Sequence, residues 1–340
     1  MKFNLDTMVR PHLLGAKSYK SLRNSYLDQK MDFLDANENP FGEFNRYPDS
    51  EHLQLKNKLA EINEVQATQL FLGNGSDELI DLAMRVFCEP TKDAIMMMNP
   101  SFVMYEMSAK LNNLKVEKLQ LDEDFQIDRN KFEEEISKTK AKILFLCSPN
   151  NPTGNSINDL EFYIQNFDGV VIVDEAYIEF SKQKSAVDLL SKYPNLIVLK
   201  TLSKAYGMAG LRIGYGISSP EIADLFNQFK PPYNIGSESQ KLALEQLKNT
   251  EQLKQNISIV LENRERLKID LQEIETVLKI YPSDANFFLV EFKDAEIIYE
   301  KLLNANILTS LRHPALQNCL RITVGTAEEN SKLLKILSQI

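Results

Sequence analysis

Cysteine and histidine are scarce in this chain of 340 residues, which contains three of each. The cysteines lie far apart among apolar neighbours, a pattern typical of buried thiols in a reducing compartment and not of a disulfide framework. These residues are Cys88, Cys147 and Cys319. The histidines are scattered without the spacing of metal ligands. We therefore expect each imidazole to pack or to lie at the surface, and we assign no metal site.

Positive charge and long apolar runs are also in short supply. The chain has 39 Lys and Arg against 48 Asp and Glu, a formal net charge of -9 at pH 7. This balance would repel phosphates, which argues against nucleic acid as a partner. No apolar run approaches the roughly 20 residues that a membrane span needs. The segment Met1–Met8 has no apolar signal region, and we therefore expect a cytoplasmic protein.

Apolar segments alternate with helical patterns from about residue 70 onward. Short, mostly apolar runs, typical of buried strands, each precede a loop rich in turn-forming or polar residues. We predict strands at Leu70–Leu72, Ala94–Met98, Ile143–Cys147, Val170–Val173, Leu196–Leu199 and Arg212–Ile217. Such strands, separated by helices, indicate an α/β fold with a mostly parallel central sheet. Ligands bind such sheets beyond the carboxyl ends of the strands, where these loops lie.

The two ends of the chain differ from this pattern. A break is expected at Lys230–Asn234, and the length of the chain fits one large domain and a smaller one. We expect residues 44–245 to form a large cofactor-binding α/β domain. We expect residues 246–340, with an N-terminal arm of residues 1–43, to form a smaller α+β domain. Within the arm, Met31–Asp35 alternates like a short strand.

A single lysine follows the predicted strand Leu196–Leu199 in a loop of small and hydroxyl residues. Lys204 is preceded by Thr201 and Ser203 and followed by Arg212. Burial in such a turn would disfavour the ammonium form, and a neutral amine can form a Schiff base with an aldehyde. Hydroxyl groups and a guanidinium are suited to binding phosphate. The segment indicates a pyridoxal phosphate site, the alternative being a surface loop with a solvated lysine.

Loops at the same end of the predicted sheet carry groups that suit this cofactor. Ser76 and Asp77 open a helix whose N–H groups could bind an anion, although the same residues could simply cap the helix. Asp174 ends an apolar strand, where its carboxylate could keep a pyridine nitrogen protonated. Tyr177 and Asn151 could hydrogen-bond the ring oxygen of the cofactor. The alternative is that Asp174 begins a helix and Tyr177 only packs.

Two further side chains have both a functional and a structural interpretation. Phe102 follows a strand-to-helix turn, and it could stack on the cofactor ring or be an ordinary core residue. Arg321 lies between apolar neighbours in Leu320–Val324, where a guanidinium needs an anion. That anion could be a substrate carboxylate or an internal one, and both possibilities stay open.

A set of segments that includes these groups runs in order from residue 34 to residue 326. They are Leu34–Pro40, Arg46–Asp49, Gly73–Glu78, Phe87–Pro90, Cys147–Gly154, Val173–Phe180, Thr201–Arg212 and Leu320–Thr326. With them the chain resembles the aspartate-aminotransferase-type, fold-type-I pyridoxal phosphate enzymes. Within that group it is closely similar to the histidinol-phosphate aminotransferase family, and the resemblance covers nearly the whole chain.

The resemblance implies a role for each group around the cofactor. Lys204 would form the Schiff base and move the proton between the substrate carbon and the cofactor. Asp174 would pair with the pyridine nitrogen, and Asn151 and Tyr177 would bind the ring oxygen. The residues on segments that hold the cofactor phosphate would be Ser76, Asp77, Thr201, Ser203 and Arg212.

The resemblance also implies substrate-binding residues and a homodimer with shared active sites. Tyr47 would reach into the active site of the neighbouring subunit, so the dimer would be required for activity. Arg321 would bind the carboxylate of glutamate. The residues that would recognise the imidazole and phosphate of the other substrate are Tyr19, Arg23, Asn37 and Arg312. The chain departs from many relatives at Phe102, where they often have tyrosine, and at Leu311–Asn318, which is shorter here.

The implied reaction is reversible transamination between L-histidinol phosphate and 2-oxoglutarate in histidine biosynthesis. Two enzymes of the same fold remain as alternatives, an aromatic amino-acid transaminase and a lyase acting on an amino-acid phosphate. A binding or regulatory protein that has lost catalysis is disfavoured, because Lys204 and its expected partner residues are all present.

Overall fold

Two β-sheets with helices packed on them form the part of the chain that the computed structural model describes, residues 3–17, 23, 26 and 31–339. The strands are β1 (Leu70–Asn74), β2 (Ala94–Asn99), β3 (Lys115–Gln120), β4 (Ala141–Cys147), β5 (Val170–Asp174), β6 (Leu196–Thr201), β7 (Ile213–Ser218), β8 (Val277–Ile280), β9 (Phe287–Phe292), β10 (Ser310–Leu311) and β11 (Cys319–Thr323). The α-helices are α1 (Leu5–Met8), α2 (Leu53–Asn63), α3 (Ser76–Phe87), α4 (Val103–Leu111), α5 (Arg129–Lys138), α6 (Leu160–Asn166), α7 (Pro220–Phe229), α8 (Ser237–Leu247), α9 (Thr250–Gln272), α10 (Ala295–Asn304) and α11 (Ala327–Leu337). Within these described ranges, none of the helices has the length and apolar content needed to cross a membrane.

The larger sheet has seven strands in the order β1-β7-β6-β5-β4-β2-β3. Its strands from β6 to β3 pair in parallel, whereas β7 runs antiparallel to both of its neighbours, β1 and β6. Strands β5 and β6 are buried along their whole length, so both of their faces are covered. The predicted α/β fold with a mostly parallel central sheet is confirmed.

The smaller sheet has four antiparallel strands in the order β10-β11-β9-β8. Its own apolar core includes Leu271 from α9, Ile298 from α10 and Leu337 from α11. An antiparallel sheet with its helices packed against it is the α+β arrangement expected for this part of the chain. The domain limits, residues 44–245 and 246–340, stay predictions.

The segment before α2 is held by side chains and not by a strand. The predicted strand at Met31–Asp35 is wrong, because these residues form no strand and pair with none in the described part of the chain. Instead, the Arg23 guanidinium lies 2.7 Å from a carboxylate oxygen of Asp35 and 2.7 Å from one of Glu38. Glu38 also accepts a hydrogen bond from Arg46 at 2.7 Å. These charged groups fix the turns of the segment without backbone pairing.

Strand register places the ends of β4, β5 and β6 side by side. Cys147, the last residue of β4, lies opposite Asp174, the last residue of β5. Asp174 in turn lies opposite Leu199 in β6. Because β7 is antiparallel to β6, its beginning lies at the same edge, with Gly214 opposite Thr201. The loops that follow these strands therefore start from one edge of the sheet.

Candidate active site

A cavity of about 300 Å³ opens at this edge of the larger sheet. Most of the predicted site residues line it: Ser76, Asp77, Phe102, Asn151, Asp174, Tyr177, Thr201, Ser203, Lys204, Arg212, Arg312 and Arg321. The lining contains one lysine and three arginines but only two carboxylates. Because positive charge is in excess, the cavity favours an anionic ligand.

One end of the cavity is formed by the turn into α3 and by Arg212. Strand pairing brings them together, since Asn74 at the end of β1 lies opposite Ile213 at the start of β7. Gly75 has a φ of +79°, and a Cβ added there would lie 2.6 Å from the Arg212 side chain. Glycine therefore suits this backbone conformation and leaves room for the guanidinium in its present position, where Nη2 lies 3.7 Å from Asp77 Oδ2. The first N–H groups of α3 have no partner within the helix, which makes this end suited to an anion.

Hydroxyl groups after β6 continue the same wall. The Thr201 hydroxyl donates to the Ile213 carbonyl at 3.2 Å and accepts from the Ser203 N–H at 3.1 Å. These bonds turn the chain away from the sheet directly after β6 ends. The turn brings Ser203 and Lys204 to the cavity, which both residues line.

Asp174 is 3% exposed and nevertheless lines the cavity. Its Oδ2 accepts a hydrogen bond from the Tyr105 hydroxyl at 2.7 Å, and its Oδ1 accepts one from the Ala176 N–H at 3.1 Å. Burial raises the pKa of Asp174, and these two hydrogen bonds act against the rise. The alternative that Asp174 begins a helix is wrong, because Asp174 ends β5 and a turn follows.

Lys204 and Tyr177 contribute to the cavity an amine whose pKa is lowered and a phenol whose pKa is raised. Lys204 Nζ lies 5.7 Å from the centre of the Tyr177 ring. The side chain of Lys204 is exposed to the cavity, yet the surrounding protein atoms, followed by the charge of Arg321, lower its pKa. Burial raises the pKa of Tyr177, whose hydroxyl lies 3.5 Å from the Asn151 amide nitrogen. The amine is therefore biased towards its neutral form and the phenol towards its protonated form.

Two arginines from the smaller sheet reach the cavity. Arg321 donates to the Asn151 side-chain oxygen, and its guanidinium carbon lies 5.3 Å from the centre of the Phe287 ring. Within the described residues Arg321 forms no ion pair, so the internal carboxylate considered for it is not found there. Arg312 Nε is buried and has no hydrogen-bond partner in the described part of the chain. A buried, unpaired guanidinium nitrogen is costly unless a ligand satisfies it.

Phe102 lies between the core and the cavity. Its side chain is partly buried, packs on the hydrophobic core of the larger sheet and also lines the cavity. Its ring meets that of Tyr105 edge to face at 5.6 Å. The structural and functional interpretations of Phe102 are therefore compatible.

Three of the predicted residues that the structure describes do not line the cavity, and a fourth is not among the described residues. Tyr47 is 51% exposed and stacks on Tyr233, with ring centres 4.6 Å apart. Asn37 is exposed, and its φ of 56° lies in the left-handed region. Arg23 is 7% exposed, and its donors are engaged by the two carboxylates described above. Tyr19 lies outside the described residues.

Sequence reasoning missed Tyr105, which contacts Asp174 directly. Tyr105 lies on α4, three residues after Phe102, and is fully buried. A tyrosine on the buried face of a short helix needs a partner for its hydroxyl. The spacing from Phe102 is the signal that could have linked it to the site, because residues three apart share a helix face.

Comparisons with known proteins agree with this geometry. The family model described as aminotransferase class I and II matches residues 15–337. A histidinol-phosphate aminotransferase from Christiangramia forsetii is 43% identical over 345 residues, covering 99% of this chain and 98% of that protein. Another from Flavobacterium psychrophilum is 43% identical over 345 residues and covers 99% of both. The crystal structure of the histidinol-phosphate aminotransferase from Clostridium acetobutylicum gives a TM-score of 0.79 at 26% identity, covering 87% of this chain and 90% of that one. The chain therefore belongs to the class I and II aminotransferases.

Proposed function

We propose that this chain is a pyridoxal phosphate-dependent aminotransferase that transfers the amino group between L-histidinol phosphate and 2-oxoglutarate. The observation that carries the proposal is the meeting of Lys204, Asp174 and Arg212 around one cavity. The shared name of full-length relatives at 43% identity supports the choice of substrates. A role in histidine biosynthesis follows from those substrates, and a cytoplasmic location stays a prediction.

The groups around the cavity fit pyridoxal phosphate. The space beside Gly75, which a Cβ would fill, lets Arg212 lie at the start of α3, where a phosphate would be bound. Asp174 offers a buried carboxylate for a protonated ring nitrogen, and Lys204 offers an amine for an aldehyde. When bound, this cofactor accepts the amino group and delocalises negative charge from the substrate carbon into its ring.

The protein residues around the ring would orient it and move protons. Lys204 Nζ would anchor the cofactor and carry the proton at the reacting carbon, a task helped by its lowered pKa. Asp174 would hold the ring nitrogen, while Tyr177 and Asn151 would hydrogen-bond the ring oxygen. Phe102 would cover one face of the ring. The residues proposed to hold the phosphate are Ser76, Asp77, Thr201, Ser203 and Arg212.

Two arginines suit the two anionic substrates. Arg321 makes no ion pair within the described residues, so the guanidinium donors that do not bind Asn151 can bind the carboxylate of glutamate or 2-oxoglutarate. Arg312 Nε is buried, unpaired and at the cavity, which suits the phosphate of histidinol phosphate. Arg23 is less suited, since its donors already bind Asp35 and Glu38. Tyr19 and Asn37 stay predictions for the recognition of the same substrate.

We further propose a homodimer in which Tyr47 acts in the neighbouring active site. Tyr47 lies outside the cavity of its own chain and belongs to a segment with exposed apolar side chains, including Leu34 at 91%, Phe41 at 83% and Phe44 at 70%. A surface of this kind favours contact with another protein surface. Mixing inactive Lys204→Ala and Tyr47→Ala chains should restore activity, because one site of each mixed dimer contains both wild-type residues. Absence of activity in confirmed mixed dimers would contradict the shared site.

The proposed function is tested by replacing the lysine. Lys204→Ala should lose the visible absorption of the bound cofactor and almost all transamination, because no other amine lies at the cavity within the described residues. Lys182→Ala is the matched control, since Lys182 is exposed and does not line the cavity. Substantial transamination by Lys204→Ala would refute the assignment.

A further inference from the structure

We propose that Tyr105 is a positioning residue for this reaction, acting through Asp174. This inference rests on the proposed function and adds to it a residue outside the cavity lining. The Tyr105 hydroxyl donates to Asp174 Oδ2 at 2.7 Å, while Oδ1 accepts from the Ala176 N–H at 3.1 Å. With one donor on each oxygen, the carboxylate is fixed in one orientation towards the cavity.

The tyrosine is itself held rigidly. Its side chain has no exposed surface, and its ring stacks on Phe145 with centres 4.6 Å apart. The ring of Phe102 also approaches it edge to face, with ring centres 5.6 Å apart. Because Phe145 belongs to β4 and Tyr105 to α4, the hydroxyl is positioned by both the sheet and the helix. The same packing therefore orients Phe102 and Asp174, both of which line the cavity.

The hydrogen bond has a definite direction. Burial, followed by the charge of Asp174, raises the pKa of Tyr105 well above its usual value. The phenol is therefore favoured in its protonated form, in which it donates to Asp174 Oδ2. Burial alone would raise the pKa of Asp174, and the Tyr105 hydrogen bond is the largest influence opposing that rise. The Tyr105 hydrogen bond thus favours the ionised form of the carboxylate that would pair with a positive ring nitrogen.

Loss of the hydroxyl should therefore affect the chemical step more than substrate binding. Loss of a hydrogen bond to a buried charged group changes an equilibrium constant or a rate constant by roughly tenfold or more. Neither Tyr105 nor Asp174 is proposed to contact the substrate phosphate or carboxylate. We expect Tyr105→Phe to lower kcat roughly tenfold, with KM for both substrates changed by about twofold or less.

The chain offers a matched control for the same chemical change. Tyr163 is also buried, and its hydroxyl donates to the Ile127 carbonyl at 2.7 Å, but it does not line the cavity or contact Asp174. Tyr163→Phe removes one buried hydroxyl and its hydrogen bond without touching the proposed site. Both variants should lose similar stability, and only Tyr105→Phe should change the chemistry.

The decisive experiment measures the pH dependence of the visible absorption band of the bound cofactor, together with kcat and KM. In Tyr105→Phe the pKa of this band should rise, because a less ionised Asp174 leaves less positive charge on the ring. Fluorotyrosine at position 105, whose phenol is a stronger donor, should move the band pKa in the opposite direction. Tyr163→Phe should leave the band pKa as in the wild type.

The outcomes separate this inference from the proposed function. Unchanged band pKa and kcat in Tyr105→Phe, or an equal change in Tyr163→Phe, would overturn the positioning role. A wild-type protein that shows neither the band nor amino transfer would instead refute the proposed function, and the inference with it. Should Tyr105→Phe fold poorly, the fluorotyrosine protein alone decides, since an unshifted band pKa would overturn the inference.

Discussion

Replacing Gly75 by alanine would test the proposed phosphate-binding end of the cavity. Gly75 precedes α3 with φ 79° and ψ 163°, a combination that residues with a Cβ rarely adopt. The added Cβ would lie 2.6 Å from Arg212 Nη2, whereas ordinary contact begins at 3.4 Å. The guanidinium would therefore have to move by about 0.8 Å, the difference between these two distances.

Two effects of different size should follow from Gly75→Ala. The strained backbone should lower the free energy of unfolding by about 1–3 kcal/mol. The displaced guanidinium should weaken a charge-assisted contact with phosphate, and the dissociation constant of pyridoxal phosphate should rise roughly tenfold or more. The loss of cofactor affinity is specific to the proposed site, because backbone strain alone would lower stability without weakening a contact between Arg212 and the cofactor phosphate.

The assay compares Gly75→Ala with Gly210→Ala in the same region. Gly210 lies two residues before Arg212, and a Cβ added there would meet nothing within 4 Å. Cofactor binding can be followed by absorbance titration of cofactor-free protein, and stability by urea unfolding of the same samples. Unchanged cofactor affinity in Gly75→Ala would refute the proposed role of this turn and Arg212. An equal loss in Gly210→Ala would show that the contact with Arg212 is not the cause.

Three further predictions concern charged groups. Arg321→Ala should raise the KM for 2-oxoglutarate roughly tenfold or more, and Arg312→Ala should raise the KM for histidinol phosphate by a similar factor. Steady-state kinetics measures both KM values for each variant. Equal effects of one variant on both substrates would contradict the division of roles. The pKa of Lys204 is lowered, so its amine becomes neutral at a lower pH than that of an ordinary lysine. The rate at which cofactor-free protein binds pyridoxal phosphate, measured by stopped-flow absorbance, should therefore rise with pH and reach half of its increase below pH 10.5. A midpoint at or above pH 10.5 would contradict this prediction. The hydrogen bond from Arg23 lowers the pKa of Glu38, so the stability that Glu38 contributes should decline as pH falls from 4.5 towards this lowered pKa. Glu38→Gln should speed hydrogen exchange in residues 31–47 at neutral pH. Unchanged exchange would contradict the importance of the Glu38 contacts.

The alternation of buried strands with loops was predictable because its signal is local. Runs such as Val170–Val173 contain no charge and are bounded by polar residues, so burial on both faces follows from composition. The convergence of Lys204 and Asp174 also follows, since parallel strands bring their carboxyl ends to one edge. The edge strand β3 (Lys115–Gln120) was not predictable in the same way, because most of its residues are polar and at least partly exposed.

Contacts between irregular segments could not be predicted in this way, because they leave no local pattern in the sequence. Arg23 has the charge expected of a phosphate-binding residue, but its partners Asp35 and Glu38 lie 12 and 15 residues away in a segment without periodic structure. Nothing in the spacing shows that the backbone turns bring these charges together. The pairing of Tyr105 with Asp174 likewise joins residues 69 apart, and it depends on how α4 packs on the sheet.

The most direct test of the account is the amino-donor profile of the purified protein with 2-oxoglutarate and pyridoxal phosphate. Steady-state rates with L-histidinol phosphate and with L-phenylalanine should give a kcat/KM at least roughly a hundredfold higher for histidinol phosphate, because only that donor offers a phosphate to Arg312. A higher kcat/KM for phenylalanine, or release of CO₂ without glutamate formation, would contradict it.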